Sequence, residues 1–306
     1  MSETIDQERL TEETVPLIFI RVRSVEQMWN LVEWLGPSLR HITGFVFPKF
    51  SAVNAEQYLS ALKEVNNETN TVMYGMPILE SPEVLYKETR IHELQQLKVL
   101  IDQYRDYVLN IRIGTTDLCG LYGIRRDSQT TIYEISLIAE LIMDIVNLFS
   151  RELDHYVVSG PVWEHFSHQE RILKPKLRQT PFQKQFGSDG LRLRKDLISK
   201  NFDGLIQETL LDKANGLIGK TIIHPSHLLP VQALHVVTHE EYGDALSIIH
   251  QANGEKGVFK SAFHNKMNEI KPHIKWAQKT LIKSEIYGVF HENSTFIDLL
   301  SEPVYS

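Results

Sequence analysis

Residues 71–114, TVMYGMPILESPEVLYKETRIHELQQLKVLIDQYRDYVLNIRIG, contain one complete strand–helix–strand pattern. The two ends, TVMYGMPILE (71–80) and VLNIRIG (108–114), are apolar on both faces, which is typical of parallel strands covered by helices. Between them, apolar side chains recur at helical steps of three and four residues, at Ile91, Leu94, Leu97, Ile101 and Tyr104. The order predicts one unit of a parallel α/β sheet.

The same pattern recurs along most of the chain. Four more apolar runs of strand length are present, at 16–22, 44–50, 156–160 and 217–224. Helical patterns separate them. Ser24 with Gln27 and Thr238 with Glu241 each show the spacing of a capping box at a helix start. The repetition predicts an α/β fold built on a parallel sheet, and leaves open whether that sheet closes into a barrel.

Composition and charge restrict the class of protein. The chain has 306 residues, of which 42% are hydrophobic and 23% charged, so a globular protein with a large core is expected. A net charge of -7 does not favour nucleic-acid binding. The one cysteine, Cys119, excludes an intrachain disulfide, and the apolar segment 137–149 is too short to span a bilayer. We expect a cytoplasmic protein that binds neither nucleic acid nor membrane.

Three segments are predicted: a polar N-terminal segment (1–14), the α/β domain (15–253) and a helical extension (254–306). The basic stretch 173–190 is punctuated by proline and glycine and is a candidate lid. The extension carries apolar aromatic side chains that need a covering surface, Trp276, Tyr287 and Phe290. A homo-oligomer would cover them, and so would docking on the chain's own α/β domain.

Polar residues follow the predicted strands at the points where they end. They are Arg21 and Arg23, which close the first strand, Lys49 at the end of the second, Glu80 at the end of the third, Asp117 in GTTDLCG after the fourth, and His224 in IIHPSH, which ends the last. The carboxyl ends of parallel strands are where α/β folds bind ligands. A carboxylate pair on adjacent strands can hold Mg²⁺, and an arginine can bind a substrate carboxylate through two hydrogen bonds. Together they could bind a 2-keto acid while the metal polarises its carbonyl as an enolate develops.

Simpler roles for these residues stay open. Arginine and aspartate at strand ends often form a structural ion pair, and Lys49 could be a solvated strand end. The histidines near His224 lack the H-E-x-x-H order of a zinc site. Cys119 is interpreted as a small buried thiol rather than a nucleophile.

Five motifs carry a family resemblance. They are IRVR (20–23), GFVFPKF (44–50), MPILESPEV (76–84), RIGTTDLCGLYG (112–123) and GKTIIHPSH (219–227). In this order and spacing the sequence, from about residue 15 to residue 300, resembles the HpcH/HpaI aldolase and citrate lyase β-subunit superfamily. Further segments resemble its branch of C–C bond lyases of the TIM-barrel fold, which is associated with tellurium-resistance gene clusters. These are SGPVWEHF (159–166), FKSAFHNKMNEIKPH (259–273) and FIDLL (296–300).

The resemblance implies a (β/α)₈ TIM barrel in which Glu80 and Asp117 hold Mg²⁺ or Mn²⁺. It implies that Arg21 binds the substrate carboxylate and that His224 lies in a loop beside the substrate entrance. Lys49 matches the lysine of an L-P-K motif in the family. The general base is not assigned by the resemblance.

The sequence departs from the family pattern at its beginning. Family members begin with two further βα units, one with an Arg-Pro motif and one with an acidic L-E-D-A motif. Only six strands are predicted here, and six strands cannot close an eight-stranded barrel. We therefore expect a shortened barrel, or one that another chain completes, without an arginine and an acidic residue of the family site.

Three functions follow from this interpretation. The leading one is a Mg²⁺-dependent C–C lyase or aldolase that acts on a small carboxylated keto or hydroxy acid, or on its CoA thioester. The second is a biosynthetic C–C condensation on a nucleoside- or sugar-like precursor. The third is a non-catalytic binding subunit of the same fold.

Overall fold

The computed structural model describes residues 16–151, 156–166, 202–252 and 257–301. Strands and helices alternate through its first part. In chain order they are β1 (Phe19–Arg21), α1 (Val25–Leu35), β2 (Gly44–Phe47), α2 (Ala55–Thr69), β3 (Tyr74–Leu79), α3 (Pro82–Leu85), α4 (Lys87–Gln103), β4 (Arg112–Ile113), α5 (Thr115–Gly120) and α6 (Ser136–Phe149). The remaining elements are β5 (Gly160–Trp163), α7 (Phe202–Ala214), β6 (Lys220–Ile222), α8 (Leu228–His235), α9 (His239–Gln251), β7 (Val258–Lys260), β8 (Met267–Glu269), α10 (Ile270–Tyr287) and α11 (Phe296–Ser301).

The strands pair in the order in which the chain makes them. β1, β2, β3 and β4 form a four-stranded parallel sheet, with Arg21 beside Val46 and Ile78 beside Arg112. A parallel bridge from Ile111 continues the pairing, and β5 pairs with β6. Sequential parallel order is the winding of a TIM barrel, whereas a doubly wound sheet reverses its order. The α/β prediction is confirmed, although the pairings among the described residues do not close the sheet.

Five of the six predicted strands coincide with observed strands, all of them shorter than their apolar runs. The fifth run, 156–160, was placed too early: β5 begins at Gly160, where that run ends, and only an isolated bridge at Val158 lies within the run. The main core lies between the sheet and its helices and contains Phe45, Phe47 and Phe50. Ser24 accepts a hydrogen bond from the Gln27 N–H at 3.1 Å at the start of α1, as the capping signature predicts. Cys119 is buried in the same core, as predicted.

A buried polar network ties α7 to β6. The Lys220 Nζ lies 2.7 Å from the Asp212 Oδ2, and both side chains are fully buried. The Tyr133 hydroxyl donates to the Asp212 Oδ1 at 2.7 Å. A Cβ at Gly160 would lie 2.5 Å from the Asp212 Oδ2, so a glycine leaves the room that this carboxylate occupies.

The chain divides into two compact units. The first is Met1–Trp163 with Leu211–Thr221, and the second is Glu164–Leu210 with Ile222–Ser306. The domain bounds given by the sequence, 1–14, 15–253 and 254–306, stay a prediction. The candidate lid at 173–190 lies outside the described residues.

In the second unit, α9 packs against α10, and an antiparallel hairpin of β7 and β8 precedes α10. Asp244 on α9 fixes this hairpin, because its Oδ1 accepts hydrogen bonds from Ser261 and Asn268 and its Oδ2 pairs with Lys266. The capping box of Thr238 and Glu241 at the start of α9 is confirmed. Across the part of the chain described here, no helix is long and apolar enough to cross a bilayer.

Candidate active site

Glu80 follows β3 directly and is the centre of the site. Only 4% of its side chain is exposed. Its Oε1 accepts the backbone N–H of Lys49 at 2.8 Å. A glutamate held in this way is fixed in position rather than free to sample solvent.

Gly114 makes the room that Glu80 occupies. The Gly114 N–H donates to the Leu79 carbonyl at 3.1 Å, which brings the end of β4 against the end of β3. A Cβ at Gly114 would lie 2.5 Å from the Glu80 Cβ and closer still to its Oε2. The glycine is therefore required by close approach, and not by an unusual φ.

Asp117 lies in the first turn of α5, which begins directly after Gly114. Its carboxyl is near enough to Glu80 for the two groups to influence each other's charge. Burial is the main cause that raises the pKa of Glu80 above its ordinary value, and the neighbouring Asp117 raises the pKa further. The Lys49 N–H and the Arg21 charge act in the opposite direction. Two carboxyl groups this close repel each other when both are ionised, so a cation between them would be favoured.

Arg21, at the end of β1, approaches the same carboxylate. Its Nη2 lies 3.9 Å from the Glu80 Oε1, and 52% of the Arg21 side chain remains exposed. The guanidinium is therefore held near Glu80 and is still open to solvent. An exposed guanidinium beside a buried carboxylate can bind an anionic group of a ligand.

Lys49 contacts the site through its backbone rather than its side chain. It has a left-handed conformation with φ of 49°, which is costly for a residue with a Cβ. Asn54 holds this turn by donating to the Lys49 carbonyl at 3.0 Å and accepting from the Ser51 N–H at 3.0 Å. Glu93 on α4 accepts the next N–H, that of Ala52, at 2.7 Å. The turn directs the Lys49 N–H at Glu80.

Arg112 on β4 is a further charged residue of this region, which the sequence analysis did not single out. Its Nη2 donates to the Thr221 Oγ1 on β6 at 3.1 Å. Burial lowers the pKa of Arg112, the Glu80 charge raises it, and the Arg21 charge lowers it. The charged groups of Glu80 and Arg21 therefore lie near enough to Arg112 to act on its pKa.

The donor set fits a divalent cation that keeps several water or substrate ligands. Glu80 and Asp117 supply carboxylate oxygens, the ligands that Mg²⁺ prefers. The hydroxyls of Ser81 and Thr115, one residue after Glu80 and after Gly114, are buried and have no hydrogen-bond partner among the residues that the structure describes. The residues described contain no group of three or more His, Cys, Asp or Glu that could hold a metal ion, so a cation here would have two protein carboxylates and would take its other ligands from water or substrate.

Of the predicted site residues, Arg21, Lys49, Glu80 and Asp117 come together in the first unit. His224 belongs to the second unit, where its ring stacks on Phe166 with centroids 4.4 Å apart. Its Nδ1 accepts the Ser226 N–H at 3.2 Å, which fixes the imidazole as the N-terminal cap of a short turn, Pro225–His227.

Comparison of this chain with solved structures shows a likeness to one enzyme. Two solved structures of Haloferax volcanii malate synthase resemble this chain. The native enzyme at 3 mM glyoxylate has a TM-score of 0.50 and 12% identity, over 75% of this chain and 58% of that one. The ternary complex with pyruvate and acetyl-CoA has a TM-score of 0.48 and 12% identity, over 75% and 54%. The chain thus spans little more than half the length of these structures.

At this identity, the likeness to malate synthase concerns the fold alone. No curated protein matches the chain. Residues 1–289 match a family described as C–C bond lyase of the TIM-barrel fold. Since that match spans most of the sequence, and since the strands are wound in sequential parallel order, the chain belongs to the C–C bond lyases of the TIM-barrel fold.

Proposed function

We propose that the protein is a divalent-metal-dependent lyase or aldolase that breaks a C–C bond in a small carboxylated keto or hydroxy acid. The observation that carries the proposal is the proximity of the Asp117 carboxyl to Glu80, whose pKa it raises, with the Arg21 guanidinium 3.9 Å from Glu80. A structural ion pair explains Arg21 and Glu80, but it gives no reason for a second carboxyl group that disfavours the ionised form of the first.

Each residue has a definite task in this proposal. Glu80 and Asp117 hold Mg²⁺ or Mn²⁺, and the Lys49 N–H keeps the Glu80 carboxylate in place. A cation held there would polarise the substrate carbonyl and stabilise the negative charge of the enolate that C–C cleavage produces. Arg21 binds the substrate carboxylate through charge-assisted hydrogen bonds and so orients the bond to be broken. A CoA thioester of the same acid is a second form of substrate to test.

Calorimetry with Mn²⁺ tests the site directly. We expect the wild-type protein to bind Mn²⁺, and pyruvate to tighten that binding, because a keto acid adds oxygen ligands and a charge for Arg21. The double variant Glu80→Gln, Asp117→Asn should lose Mn²⁺ binding while it remains folded. An activity screen of keto and hydroxy acids then follows the release of a keto acid, with and without Mg²⁺.

Glu88→Gln with Asp106→Asn is the matched control, because both residues are exposed and the net charge changes equally. This control should bind Mn²⁺ like the wild type. Equal loss in both double variants would mean that total charge governs binding, and the proposed site would be wrong. A folded wild-type protein that binds no Mn²⁺ would contradict metal dependence and favour a non-catalytic binding role.

A further inference from the structure

Arg112 lies on the same face of the sheet as Glu80. In a parallel pair, residues in register point to the same face, and Arg112 is in register with Ile78. Glu80 stands two residues after Ile78, and side chains alternate along a strand, so Glu80 and Arg112 share that face. Arg21 approaches Glu80 from β1, at the other edge of the four-stranded sheet. Glu80 therefore lies between two arginines.

The Arg112 guanidinium has hydrogen-bonding capacity left over. A guanidinium carries five N–H donors. Within the described part of the chain, Thr221 is its one hydrogen-bond partner. Arg112 is only partly buried, and the charge of Glu80 acts on it. The bond to Thr221 holds the guanidinium in place, and among the described residues its other donors have no acceptor.

The balance of charges around Glu80 also indicates that Arg112 needs an anionic partner. Without a metal, the two arginines balance the carboxyl groups of Glu80 and Asp117. When those two carboxylates hold a divalent cation, the cation balances them, and both guanidinium groups are in excess. Arg21 is sufficient for one substrate carboxylate. A second partly buried guanidinium without an anion would be unfavourable, because desolvation of a charge is costly unless it is paired.

We propose that Arg112 binds a second anionic group of the substrate. The substrate is then a 2-keto or 2-hydroxy acid that carries a further carboxylate or phosphate at its other end. This inference rests on the proposed function, since it requires that Glu80 and Asp117 hold a metal. It adds the class of substrate and a residue that determines specificity.

Three stable ligands test the inference by calorimetry at saturating Mn²⁺. Lactate has one anionic group, malate adds a carboxylate, and 3-phosphoglycerate adds a phosphate to a 2-hydroxy acid. We expect malate or 3-phosphoglycerate to bind the wild-type protein at least tenfold more tightly than lactate, and the tighter of the two identifies the second group. Arg112→Gln should reduce that preference to about twofold or less, with Mn²⁺ and lactate affinities unchanged. Arg112→Lys keeps the charge without the planar fork, so it should fold and show an intermediate preference.

Arg40→Gln is the matched control, because it removes an exposed arginine in the turn before the start of β2, whereas Glu80 follows the end of β3. It should leave all three affinities unchanged. If both Arg112 variants weaken lactate and malate equally, or if the wild type shows no preference, Arg112 is only a cross-link to Thr221 and the inference is wrong. Those results would leave the proposed function intact. Failure of the wild type to bind Mn²⁺ would overturn both.

Discussion

Replacing Gly114 with alanine is a sharp test of the site, because a single methyl group would occupy the space of Glu80. The added Cβ would lie 2.5 Å from the Glu80 Cβ, whereas ordinary contacts of this kind begin near 3.4 Å. Glu80 or the end of β4 must therefore move by about 1 Å. Rotation of the carboxylate alone is insufficient, since the clash includes the atom that attaches the side chain to the backbone.

Two consequences of Gly114→Ala can be measured separately. Overpacking of this kind costs about 1–3 kcal/mol of the free energy of unfolding, which chemical denaturation measures. A displaced Glu80 should weaken Mn²⁺ binding about 10- to 100-fold, the range found when the groups that orient metal ligands are changed. The backbone of Gly114 has a φ of -89°, which alanine adopts readily, so neither effect comes from backbone strain.

Gly120→Ala supplies the control for this experiment. Gly120 ends the same helix, α5, and a Cβ there would meet nothing within 4 Å. This variant should bind Mn²⁺ normally and unfold with the wild-type free energy or up to about 1 kcal/mol more. If Gly114→Ala matched Gly120→Ala in both measurements, the close approach of Gly114 to Glu80 would not be what positions the carboxylate.

Three more predictions concern stability. Lys49→Gly should raise the unfolding free energy by about 1 kcal/mol, because glycine adopts the left-handed conformation freely, and it should keep Mn²⁺ binding, since the backbone N–H remains. Glu80→Gln should stabilise the metal-free protein at neutral pH. Burial raises the pKa of Glu80, so the contribution of this carboxyl group to the unfolding free energy is favourable near pH 4.5 and is lost as the pH rises through the raised pKa. The gain over wild type in denaturation experiments should therefore grow from pH 4.5 to pH 7, and a constant gain would refute the reasoning. Asp212→Ala should cost about 3–5 kcal/mol in the same assay, because it removes the buried carboxylate that pairs with Lys220 at 2.7 Å, and a loss below about 1 kcal/mol would contradict this.

The meeting of Glu80 and Asp117 could be predicted from the sequence. Glu80 ends one apolar run, and Asp117 lies in the first turn of the helix that follows the next run. The carboxyl ends of adjacent parallel strands meet at one edge of the sheet. The N-caps at Ser24 and Thr238 were equally predictable, because each cap hydrogen bond joins residues three positions apart. These features depend on local pattern alone.

The features that were missed depend on distant contacts. Arg112 lies within a run interpreted as apolar, and its partner Thr221 is 109 residues away. Lys49 was predicted as a site residue, but its contact is made by the backbone, in a conformation held by Glu93 from α4. The hairpin of β7 and β8 depends on Asp244, a single buried charge in an amphipathic helix. No periodicity reveals such contacts.

The sequential strand order has a consequence for how the chain folds while it is being synthesised. Every residue proposed to hold the metal lies before residue 118, and each strand from β2 to β4 pairs with the one made just before it. The Lys49 to Glu80 hydrogen bond spans only 31 residues, so little loop entropy opposes its closure. The site formed by Glu80 and Asp117 can therefore assemble on the ribosome while the second unit is still being translated. A substitution that destabilises β1 to β4 should accordingly lower the yield of folded chain in cells more than an equal loss of stability placed in α9 or α10.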